Sequence, residues 1–84
     1  MQLVKNLVIL SRINRGTKET WTEFFNVNEI VCAKEHRVGQ GAYNNDQGKR
    51  VGYDIYLKGG HNIWVSDVEY EEICNKILGF QLYK

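Results

Sequence analysis

Cys32 and His36 lie four residues apart, and on a strand that spacing puts both side chains on one face. With His61 and Cys74 they make a set of thiols and imidazoles of the kind that holds zinc. Structural zinc sites draw their ligands in close pairs, such as Cys-x-x-Cys, and no such pair occurs here. The expectation is therefore no metal. Cys32 reads as a half-buried strand residue, Cys74 as a member of an apolar helix stripe, and both histidines as solvent-facing. A thiol in such a stripe is inert rather than nucleophilic. Gly39-Gln40-Gly41 is a fragment of a dinucleotide fingerprint, without its third glycine or helix start. Asp67, Glu69, Glu71 and Glu72 read as charges at the positive end of a helix dipole rather than as an acid–base pair. The chain reads as non-enzymatic and free of cofactors.

Basic and aromatic residues are harder to dismiss. Arg12, Arg15, Lys34, His36, Arg37, Lys49 and Arg50 fall at strand ends and around a glycine-rich connection, with Tyr43, Tyr53 and Trp64 nearby. Arg37, Tyr43, Lys49 and Arg50 form the candidate ligand set: stacking plus charge could hold a nucleotide, a signalling anion or a single strand. The ordinary reading is a scattered solvated surface. An acidic helix and a formal net charge of +1 leave little field for polyanions, so nucleic-acid binding is the weakest alternative.

Strands must carry most of these residues. Leu7-Val8-Ile9-Leu10 is apolar on both faces, as in a doubly covered strand, and Leu3 and Val4 extend it. Asn14 to Glu19 reads as a turn. Trp21, Phe25 and Val27 then share a face that Glu23 interrupts, while Phe24 points the other way. Asn26 to Glu29 reads as a brief corner, because asparagine side chains compete for the backbone. Ile30 to Arg37 is a third strand. From 38 to 51 no periodicity survives, and a connection that long is commonly functional or mobile.

The segment Gly52 to Gly79 reads as strand, turn, strand and capped helix. Ile55 and Tyr53 share a face with Ile63 and Val65 only if the loop is Lys58-Gly59-Gly60. A one-residue slip would turn an apolar set to water. Ser66 and Glu69 have capping-box spacing, with Val65 and Tyr70 as the hydrophobic staple. Tyr70, Ile73, Cys74 and Ile77 make one apolar stripe, and Gly79 is the expected left-handed stop.

Composition bounds the rest. Eighty-four residues make a single domain, 1–84, near the lower size for an unstapled core. Two distant cysteines are not a disulfide framework. No leader pattern or membrane-length apolar run is present, so the expected setting is the cytoplasm.

The series Ile9-Leu10-Ser11-Arg12-Ile13-Asn14, Phe25 to Ile30, Ile55 to Gly60 and Ile63-Trp64-Val65-Ser66 before a Glu-rich helix resembles the small bacterial FlbD-type flagellar and swarming-motility proteins. Their pattern runs I-x-L-T-x-x-N, L-N-x-x-x-I, I-x-L-x-x-G and V-x-E ahead of a helix. The resemblance covers most of the chain outside 39–48. It implies a compact sheet with a helix, a bacterial or phage-type protein, and no catalysis.

Together these features predict an α+β domain: a bent antiparallel sheet of four to five strands with one C-terminal helix on one face. The alternative is a small, partly closed β-barrel with the same helix. One helix leaves the other side of the sheet bare, which predicts a homodimer through Val8, Leu10, Phe24, Tyr56 and Trp64. The expected function is a self-associating interaction module that recruits a protein partner. The alternative is an oligomeric binder of a small anionic ligand near 38–51.

Overall fold

The computed structural model describes residues 1–39 and 48–83. Alternating apolar residues build six strands, β1 (Gln2–Val4), β2 (Leu7–Ile13), β3 (Thr20–Asn26), β4 (Ile30–Val38), β5 (Lys49–Leu57) and β6 (Asn62–Val65). One helix follows, α1 (Asp67–Ile73), whose last turn widens to π-helical geometry over Cys74–Leu78. The fold is α+β and antiparallel, as expected, but the strands do not form one sheet. They form two three-stranded sheets, β1-β2-β3 and β4-β5-β6, with no closed barrel among the described residues.

The corner at the break between sheets has a local cause. Asn26 accepts from the Asn28 N–H at 2.8 Å and caps a short 3-10 turn, Val27–Glu29. That turn redirects the chain, so β4 begins a second sheet instead of pairing with β3. The corner expected at this point is therefore the sheet boundary. The start of the chain also differs from expectation. Leu3 and Val4 do not extend β2. They turn back through Lys5 and Asn6 and pair with it, Leu3 opposite Val8 and Val4 opposite Leu7.

The β5–β6 hairpin has the register that its apolar alternation requires. Ile55 lies opposite Ile63 and Tyr53 opposite Val65. The Leu57 N–H donates to the His61 carbonyl at 2.8 Å, which closes the three-residue loop Lys58-Gly59-Gly60. The helix start is equally determined. Ser66 accepts from the Glu69 N–H, and Glu69 accepts from the Ser66 N–H, at 3.2 and 2.9 Å. Gly79 ends the helix in the left-handed region, at φ 76°.

Inner faces of both sheets and the helix meet in one core. Val8, Leu10, Phe25, Ala33, Tyr53, Ile55, Val65, Tyr70, Ile73 and Cys74 are buried there. Tyr53 stacks on Tyr70 with ring centroids 3.9 Å apart, and the Tyr70 hydroxyl accepts from the Tyr83 N–H at 2.7 Å. The tail is thus tied back over the helix. The connection read as 38–51 is shorter at both ends. Val38 pairs with Lys49 and Arg37 with Arg50, so these residues belong to β4 and β5. Among the described residues, no helix is long and apolar enough to cross a membrane.

Candidate functional site at the junction of the two sheets

Arg12 follows Leu10 on the inner face of β2, where a charge without partners would be costly to bury. Its guanidinium instead crosses to the second sheet. Nη1 donates to both Glu69 oxygens, at 3.0 and 3.1 Å, and Nη2 donates to the Trp64 carbonyl. Nε stands 4.0 Å from Glu23, the carboxylate that interrupts the apolar face of β3. Arg12 also lies over the Trp64 ring, 5.2 Å from its centroid. One side chain therefore joins β2, β3, β6 and the helix cap.

Electrostatics follow from that geometry. Burial pushes the Glu69 carboxyl up, but the Ser66 N–H and the Arg12 guanidinium outweigh it and hold the carboxyl below the usual range. Trp64 is fixed as firmly. Its indole N–H donates to the Val51 carbonyl at 3.0 Å. Gly52, at φ 128°, makes room for it: a Cβ there would stand 2.6 Å from Trp64 Nε1 and 2.4 Å from the Val65 carbonyl oxygen. Trp21, opposite Arg12 on β3, donates its indole N–H to Glu23 at 2.9 Å. Between β3 and β6 lies an open cavity of about 330 Å³ bounded by Arg12, Trp21, Glu23, Asn62, Ile63 and Trp64. It adjoins a second cavity of about 420 Å³ that shares Asn62 and Ile63 and reaches Phe24 and His61.

The ligand set expected near 38–51 is placed differently. Arg37 and Arg50 are cross-strand partners, but both face Glu35. Arg37 also donates to the Gly48 carbonyl, and Arg50 lies 3.5 Å from Asp67 and over Tyr53. Acidic neighbours thus already meet both guanidinium charges. Lys49 starts β5 at the open end of that ladder. Tyr43 lies outside the described residues.

Of the residues expected at an interface, Val8 and Leu10 are corrected. Both are fully buried in the core, where the inner face of β2 meets the second sheet and the helix. The opposite set, Leu7 and Ile9, faces outward. Phe24 pairs with Ile9 on that outer face and is 68% exposed. Tyr56 and Trp64 lie on the outer face of the other sheet, opposite Asn62 and Asp54, so the five residues do not form one surface. Lys34 covers the Tyr56 ring at 5.4 Å.

His36 bonds Asp54 at 2.8 Å, Cys74 is fully buried, and Cys32 lies opposite Tyr56. Among the described residues, no group of His, Cys, Asp and Glu is arranged to hold a metal ion. The role of Arg12 went unread in the sequence, although a signal for it existed. Glu23 on an apolar face needs a cationic partner, and Arg12 continues the Val8, Leu10 side of the neighbouring strand. The chain matches no protein-family model, no curated protein and no solved structure.

Proposed function

We propose that this chain is a non-enzymatic interaction module that works as a homodimer, joined through the outer face of the β1-β2-β3 sheet. The observation that carries this reading is the chemistry of that face. Strand register places Val4, Leu7, Ile9, Ile13 and Phe24 on it, with only glutamine, serine, threonine and asparagine between them. No residue on this face ionises. A surface that must meet itself about a two-fold axis puts like residues near like, so a charge-free apolar face is suited to it. The outer face of the second sheet carries Lys34, His36 and Asp54 and is a poorer match to itself.

The resemblance to FlbD-type proteins is compatible with such a module and assigns no residue. The rival reading, an anion bound by Arg37 and Arg50, is weakened by the Glu35 and Asp67 contacts that those side chains already make.

Sedimentation velocity at micromolar concentration tests the proposal. The expected species has twice the 9.8 kDa chain mass. Phe24→Glu should shift it to monomer with the fold intact, whereas Tyr56→Lys should leave the dimer unchanged. A wild-type protein that sediments as a monomer would sink the reading.

A further inference from the structure

The cavity between β3 and β6 plays no part in the proposed self-association, because Trp21 and Arg12 lie on the inner face of their sheet. We propose that it is a binding site for a cationic side chain, an alkylammonium or guanidinium, carried by an extended segment of a partner protein. Aromatic walls come first. Trp21 and Trp64 both border the cavity, and both remain accessible, at 45% and 38%. Each indole N–H already has an acceptor, Glu23 for Trp21 and the Val51 carbonyl for Trp64. What the walls offer a ligand is therefore π-density and apolar surface, which favours cations. Those same bonds fix the rings, so little ordering cost remains at binding.

Charge points the same way. Arg12 is matched by Glu69 through two short bonds and is largely shielded, with its side chain 14% exposed. Glu23 is more open, at 35%, and stands at the limit of pairing distance from Arg12. It is the carboxylate left to meet an incoming charge. An anionic ligand would face Glu23 while the one bordering guanidinium was already engaged. The protein contains an internal example of the proposed contact, since Arg12 itself lies over Trp64.

Shape selects an extended ligand. Asn62 and Ile63 border both this cavity and a neighbouring one that reaches Leu57 and His61, so an extended chain can follow the edge strand β6. The Asn62 amide has both donor and acceptor capacity for a passing backbone.

Tryptophan fluorescence of the wild-type protein, titrated with acetyl-Val-Arg-Val-amide, tests the site. Saturable change is expected, with the citrulline analogue and acetyl-Val-Glu-Val-amide at least about tenfold weaker, the loss expected when a desolvated cation–π contact and its charge partner are removed. Glu23→Gln should weaken the arginine peptide by about tenfold while thermal unfolding still shows a folded protein. Adenosine monophosphate is the competing probe, for stacking without positive charge. No saturable response to the arginine peptide, equal affinity for the citrulline peptide, tighter binding of adenosine monophosphate, or unchanged affinity in folded Glu23→Gln would each overturn the proposal.

Discussion

Arg12 and Glu69 are 57 residues apart in sequence, yet two hydrogen bonds join their side chains at 3.0 and 3.1 Å. Glu69 is also the reciprocal member of the capping box, so the bond that starts the helix and the bond that joins the sheets share one carboxylate. Such sharing makes the two non-additive. Arg12→Leu is expected to destabilise the protein by about 1–3 kcal/mol, because a shielded carboxylate loses its charged donor. Glu69→Gln should cost less, since the amide oxygen still accepts from the Ser66 N–H. A double-mutant cycle in urea checks this. A coupling energy near zero would show that the pair contributes nothing beyond its separate parts.

The same carboxyl gives stability a pH dependence. In the folded state Glu69 titrates below its ordinary value, so the unfolded chain takes up its proton first as pH falls. The stabilisation is complete above the unfolded value of about 4.3 and is lost as pH falls through the lower folded value. Urea midpoints measured from about pH 5 down to about pH 3 should fall more steeply for wild type than for Glu69→Gln. Parallel curves would show that other carboxyls carry the acid sensitivity.

Ser66→Ala should cost about 1 kcal/mol by leaving the Glu69 N–H without its cap. Ser66→Asp should be nearly neutral, since its carboxylate can accept the same bond and suits the helix dipole. Cys74 presents a different case. It is fully buried beside Tyr70 and Ile73 in the core, so a hydroxyl in its place loses apolar contact and needs a partner. Cys74→Ser should therefore lower the unfolding midpoint, while Cys32→Ser, on the half-exposed outer side of β4, should leave it nearly unchanged. Equal effects of the two serine variants in thermal unfolding would contradict this placement.

These contrasts show which parts of the fold were legible in the sequence. The β5–β6 hairpin was, because alternation on two strands and a double glycine admit only one register. The helix start was, because Ser66 and Glu69 cap through local geometry alone. What stayed hidden depends on long-range choice. Leu7 to Leu10 is apolar on both sides, and a period of two separates Val8 and Leu10 from Leu7 and Ile9 without saying which pair faces the core. Val8 and Leu10, expected on the bare face, are accordingly the buried pair. The second sheet was hidden for a similar reason. Asn26 announces a corner, but nothing local tells a bend within one sheet from a passage to another. The junction around Arg12 was hidden because its partners come from three other elements, β3, β6 and α1, although Glu23 on an apolar face was a usable sign.

Gly52 carries the last prediction. It is buried in the middle of β5, where glycine ordinarily weakens a strand. Its φ of 128° lies where side chains are strained, and an added Cβ would meet the Val65 carbonyl oxygen at 2.4 Å and Trp64 Nε1 at 2.6 Å. The indole cannot easily retreat, because its N–H is bonded to Val51 and Arg12 lies over its ring. The β6 backbone cannot retreat either, since Val65 pairs with Tyr53 and is fully buried. Gly52→Ala should therefore cost about 2–3 kcal/mol, well above the few tenths that an open strand position would show. It should also red-shift tryptophan emission by displacing Trp64 toward water. In a Trp64→Phe background the smaller ring frees part of the space, so the additional cost of Gly52→Ala should shrink though not vanish, because the backbone contact remains. If Gly52→Ala is as stable as wild type with unchanged emission, the packing of Trp64 on β5 is wrong, and the cavity it helps to wall would have a different shape.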